Sequence, residues 1–84
     1  MNQQKNIHFS LLIRINKRLF EFNFRKRSDS SYDGDTGDDR GNRHYFKMIK
    51  QDKEWQLQGS GLPKWITEND KLIAEALQEK ESVG

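Results

Sequence analysis

The sequence predicts an α+β domain: a four-stranded antiparallel sheet made of two hairpins, with one C-terminal helix packed on one face, ββββα in order. Two stretches in which apolar residues recur with period two, each broken by a short polar pair, predict the hairpins. After Gly61 the apolar spacing changes from two to about 3.6, which predicts the helix. The chain has 84 residues, 32% of them hydrophobic, so one small domain over 6–81 is expected, with 1–5 and 82–84 disordered.

The first strand is read from "NIHFSLLIRI", where Ile7, Phe9, Leu11, Ile13 and Ile15 share one parity. The second is read from "RLFEFNFRKR", where Phe20, Phe22 and Phe24 do the same. A two-residue turn at Asn16-Lys17 pairs Ile13 with Phe20, Leu11 with Phe22 and Phe9 with Phe24. Directly opposed residues share a face, so both apolar sets land on one side. Asparagine suits the positive φ of the first turn position, and Lys17 less so.

"HYFKMIKQDKEWQLQG" is the second hairpin. Phe46 and Met48 share a parity, as do Trp55 and Leu57. A turn at either Gln51-Asp52 or Asp52-Lys53 brings both pairs to one face. In the last segment Leu62, Trp65, Ile66, Asn69, Leu72, Ile73, Ala76, Leu77 and Lys80 fall on one helical stripe. Pro63 suits a first helical turn. Thr67 and Asp70 have the spacing of a capping box, so the helix is expected to restart near Thr67. Glu79 and Glu81 oppose the helix dipole, so the last turn is expected to fray.

Between the hairpins lies "SDSSYDGDTGDDRGN", with five aspartates, three glycines and no aliphatic residue. It is expected to be a long solvated loop, with a tight turn at Asp39-Arg40-Gly41-Asn42. A second reading makes the part near Tyr32 an irregular extension of a neighbouring strand. From Asp29 the segment begins like an EF-hand loop, with Asp29, Ser31 and Asp33 at ligand positions and Gly34 at the glycine position. Arg40 then stands where the bidentate glutamate is required, which argues against calcium binding over 29–39.

Charge is blocked along the chain although its net value is only +2. Residues 1–27 are strongly basic, 28–43 acidic, 44–64 mildly basic and 65–84 acidic. With the phenylalanines facing the helix, the opposite parity forms an open sheet face. That face carries Arg14, Arg25, Arg27, Tyr45 and Lys47 and is expected to be net positive. It also carries Leu12, Leu19, Tyr45 and Ile49, expected to form a modest apolar patch. The order of four strands and a helix over residues 7–80 resembles PUR-type single-stranded nucleic-acid-binding repeats. The resemblance is one of element order, and no functional residue is carried over from it.

Two function classes follow. The first is a non-catalytic interaction module that binds a protein partner, or a second copy as a homodimer, through the open face. The second is single-stranded nucleic-acid binding on that same face, with Tyr45 the lone stacking platform. Enzyme activity is not expected, because nothing pairs His8 or His44 with a nucleophile and an orienting carboxylate. No glycine-rich phosphate loop or zinc constellation is present in the sequence, so no cofactor, metal or small-molecule ligand is expected. The chain has no cysteine, which suits a reducing, cytoplasmic setting. The run Ile7–Ile13 is too short to span a membrane, and Arg14 directly after it argues against a signal peptide.

Overall fold

The computed structural model describes residues 7–83. The expected unstructured residues 1–5, and Gly84 of the expected 82–84 tail, lie outside the described residues. Five strands and two helical segments follow in order: β1 His8–Ile15, β2 Arg18–Lys26, β3 Tyr32–Gly37, β4 Arg43–Gln51, β5 Glu54–Gln58, α1 Lys64–Thr67 and α2 Asp70–Val83. The strands form one antiparallel meander in chain order, β1-β2-β3-β4-β5. The α+β class with an antiparallel sheet and a C-terminal helix is as expected. The strand count is not: the acidic segment supplies a fifth strand, and that strand is the middle one.

The first hairpin has the expected register, with Ile13 opposite Phe20, Leu11 opposite Phe22 and Phe9 opposite Phe24. Asn16 and Lys17 both take positive φ, 52° and 68°, the backbone of a type I′ turn. The turn between β4 and β5 uses Asp52-Lys53 in the same way, at 53° and 70°. That choice sets Met48 opposite Leu57 and Lys50 opposite Trp55.

Residues 32–37 become a strand because Asp33 and Asp35 occupy one parity and Tyr32, Gly34 and Thr36 the other. The second set faces the core, and all three are buried. Gly34 lies opposite Phe24 on one side and Phe46 on the other. A side chain at Gly34 would overlap the Phe46 ring, so the absence of Cβ lets that ring lie over the strand. Phe46 in turn meets Phe22 and Phe24 edge-on, at centroid distances of 6.1 Å each. The Thr36 hydroxyl donates to the Glu21 carbonyl at 2.9 Å, which satisfies a fully buried polar group.

Two short turns join β3 to its neighbours. In the first, one Asp29 carboxylate oxygen accepts the backbone N–H and the hydroxyl of Ser31, at 3.0 and 2.6 Å. In the second, Asp38 accepts the backbone N–H groups of Arg40 and Asn42, each at 2.9 Å, and Gly41 takes φ 86°. These bonds hold the Asp38 carboxyl down to about 2. The Asn42 N–H is the largest cause, partial burial opposes it, and Arg40 and His44 assist.

The helical layer covers the core face of the sheet. Ile66, Ile73 and Leu77 are fully buried there with Phe22, Phe24, Met48 and Ile15. The break between α1 and α2 falls at Glu68-Asn69, where the Asn69 side-chain amide donates to the Trp65 carbonyl at 2.8 Å. Thr67 does not form the expected capping box; its hydroxyl turns back toward the Lys64 carbonyl. The last turn of α2 is held as well, because Glu81 accepts the buried Tyr32 hydroxyl at 2.5 Å and lies 3.7 Å from Lys26. Burial first, and the Glu81 carboxylate second, push the Tyr32 phenol well above its usual range.

Candidate interaction face

The register lays out the open face row by row. One row runs His8, Arg25, Asp33, Lys47, Gln58 across all five strands. The next runs Ser10, Asn23, Asp35, Tyr45. Beyond them, Leu12 stands opposite Glu21, and Arg14 opposite Leu19. The central column of this face is therefore acidic. β3 inserts Asp33 and Asp35 between the cations of β2 and those of β4.

This placement changes where the charge of the face sits: Arg14, Arg25, Arg27, Arg43 and Lys47 still outnumber the carboxylates, but Asp33 and Asp35 make its centre acidic. Arg27 donates to Asp33 at 2.5 Å, and the Arg43 guanidinium donates to Asp35. Beside the face, Arg18 reaches Asp39 at 2.8 Å. Each of these arginines is held by a carboxylate of the segment that was expected to be a free loop. The Asp33 contact raises the Arg27 pKa and the Asp35 contact that of Arg43, so both stay charged. These exposed pairs add little to stability, because solvent screens them and each holds long side chains in one geometry. Their consequence is for recognition: a polyanion approaching the sheet meets two carboxylates at its centre. Arg14, Arg25 and Lys47 carry no ion pair among the described residues.

The expected apolar patch is dispersed. Leu12 and Leu19 are diagonal neighbours near the β1–β2 turn and are 70% and 56% exposed. Tyr45, 69% exposed, lies on β4 opposite Asp35. Ile49 is four residues further along β4, beside Gln56 and only half exposed. At about 3.3 Å per residue, Tyr45 and Ile49 stand roughly 13 Å apart. A shallow depression of about 240 Å³ lies between the upper rows, lined by His8, Asn23, Arg25, Asp33, Asp35 and Tyr45.

The aspartates do not converge as a calcium loop would require. Asp29 belongs to the turn before β3, Asp33 and Asp35 to the open face, and Asp38 and Asp39 to the turn after it. No group of three His, Asp or Glu side chains suited to a metal ion occurs among the described residues. His8 lies on the open face of β1. His44 lies on the other side, 3.3 Å from Asp38 and edge-on to Trp65 at 6.1 Å. No described helix is long and apolar enough to cross a membrane.

Sequence reasoning missed the two carboxylates at the centre of the face. The signal was present: Tyr32-Asp-Gly-Asp-Thr36 alternates with period two, but both of its classes look polar. Comparison with family models, curated proteins and solved structures finds no match for this chain. The resemblance to PUR-type repeats is weakened by the fold itself, which sets five strands before the helix instead of four.

Proposed function

We propose that this domain is a non-catalytic interaction module that binds a protein partner, or a second copy of itself, through the open face of its sheet. The observation that supports the reading is the charge pairing of that face. Asp33 and Asp35 neutralise its centre, while Leu12, Leu19 and Tyr45 stand exposed around it. A mixed, self-paired surface with exposed apolar and aromatic groups suits a protein partner better than a phosphate backbone.

A second reading keeps single-stranded nucleic acid. It rests on Tyr45 standing one register step from Arg25 and Lys47, neither of which has an ion pair among the described residues. One platform offers only about 1–3 kcal/mol of stacking per base. The double variant Arg14→Glu, Arg25→Glu abolishes such binding, whereas Asp33→Asn with Asp35→Asn strengthens it. Leu12→Asp or Ile49→Asp instead disrupts a protein complex.

The deciding experiment places a photo-crosslinking residue at position 12 or 45 and, in parallel, titrates labelled protein with short oligonucleotides at low and physiological salt. Discrete protein adducts that Leu12→Asp removes support the module. No adduct at either position, together with salt-sensitive oligonucleotide shifts on β2 and β4, transfers the face to nucleic acid.

A further inference from the structure

Among the described residues the outer edge of β1 has no partner strand, a feature separate from the sheet's open face. β1 is a terminal strand of eight residues, and its register with β2 runs unbroken through eight pairs. The Lys26 N–H donates to the Ile7 carbonyl at 2.9 Å, in line with that register. Bonded and non-bonded pairs alternate in an antiparallel ladder, so the odd-numbered residues of β1 turn their backbone groups toward β2. The N–H and C=O groups of His8, Ser10, Leu12 and Arg14 therefore point outward, away from the sheet.

Most devices that natural proteins use to blunt such an edge are missing here. "HFSLLIRI" has no proline and no bulge, and Arg14 is its one permanent charge. The opposite edge is different. β5 has five residues, and α2 packs chiefly against it.

We infer that β1 pairs antiparallel with β1 of a second copy, about a two-fold axis through Leu11, to make one continuous ten-stranded sheet. This goes beyond the open-face reading, because it uses a different surface, the outer edge of β1. The strand is self-complementary about Leu11. On the core face the two-fold sets Leu11 against Leu11, Phe9 against Ile13 and Ile7 against Ile15, apolar against apolar at every position. Phe9 and Leu11 are only half-buried in one copy and become covered by the other. On the outward-bonding positions Ser10 meets Leu12 and His8 meets Arg14, so all four exposed backbone pairs of each copy find partners. A slip of two residues leaves His8 or Arg14 unpaired. A slip of one residue sets core-facing side chains against open-face ones.

Hydrogen exchange on the full chain, followed by NMR from dilute to concentrated solution, reads this directly, with mass measured by sedimentation. In the dilute chain the outward amides of residues 10, 12 and 14 exchange fast, while those of 9, 11, 13 and 15 are protected. With concentration the mass doubles and the outward amides slow by about tenfold or more, the expectation for newly closed ladder bonds. Leu12→Pro removes one outward N–H without breaking a bond to β2, and is expected to stay folded and monomeric. Leu12→Lys is a second variant expected to weaken the pairing. A mass that stays monomeric with unchanged outward amides overturns the inference. So does a dimer whose outward amides still exchange fast, and that outcome leaves association through the open face standing.

Discussion

β2 and β3 are neighbours at the heart of one sheet, yet they enter it for different reasons. β2 carries Phe20, Phe22 and Phe24 on one parity and would be read as a strand in any context. β3 is Tyr-Asp-Gly-Asp-Thr-Gly, a composition with poor strand propensity and ordinarily found in turns. Nevertheless its core-facing residues are all buried. β2 brings bulk to the core, whereas β3 brings space for the bulk of others. Gly34 leaves room for the Phe46 ring, Thr36 anchors to the Glu21 carbonyl, and Tyr32 reaches across to Glu81. A central strand is thus chosen by what its neighbours need beside them and not only by its own hydrophobicity.

The largest expected effect lies on the β2 side. Phe22 is fully buried and meets Phe46 and Trp65 edge-on. Phe22→Ala is expected to cost about 3–5 kcal/mol, comparable with the whole stability of a domain this small. Chemical denaturation checks it, and a variant that unfolds near the parent midpoint breaks the assignment of β2 to the core.

On the β3 side the sign of the size change reverses, because adding atoms should harm. Gly34→Ala is expected to cost about 1–3 kcal/mol through overpacking against Phe46. Combining it with Phe46→Leu should recover part of that loss, since contacting residues couple. Additive costs in the double-mutant cycle would show that Gly34 does not lie under the ring.

A smaller effect is expected in acid, at the turn that returns β3 to β4. The Asp38 carboxyl is lowered from its usual 3.8 to about 2 by the Asn42 and Arg40 N–H groups. A carboxyl lowered on folding stabilises the fold above its unfolded pKa, and that contribution fades as pH falls from 3.8 through about 2. A carboxyl-shift titration by NMR should place Asp38 well below its usual 3.8. Asp38→Asn should flatten the acid limb of the stability curve over that window.

Much of the architecture was legible in the sequence. The period-two runs, the Asn16-Lys17 turn and the register of Phe20, Phe22 and Phe24 follow from steric and parity rules alone. The helical stripe followed from its spacing, although the break fell at Glu68-Asn69 and not at a capping box. The register of the second hairpin needed the φ values of Asp52 and Lys53, which composition does not specify. β3 was missed because its buried positions carry Gly and Thr, whose fitness for a core depends on Phe24, Phe46 and Glu21 elsewhere in the chain. The character of the open face was misread for the same reason. Asp33 and Asp35 belong to a loop if 28–43 is a loop, and to the centre of the face if it is a strand.

Both the sheet order and the acidic centre of the open face depend on the acidic segment being the central strand. Backbone hydrogen exchange and 15N relaxation across residues 29–42, compared with 20–26, test it most directly. A strand paired on both sides should show slow exchange at successive residues from 33 to 36. That protection should match Phe22 and Phe24 and lack the alternation expected in β1, with order parameters near 0.85. Fast exchange with order parameters below about 0.6 over the same residues would contradict it, returning the segment to a loop and taking both carboxylates from the centre of the open face.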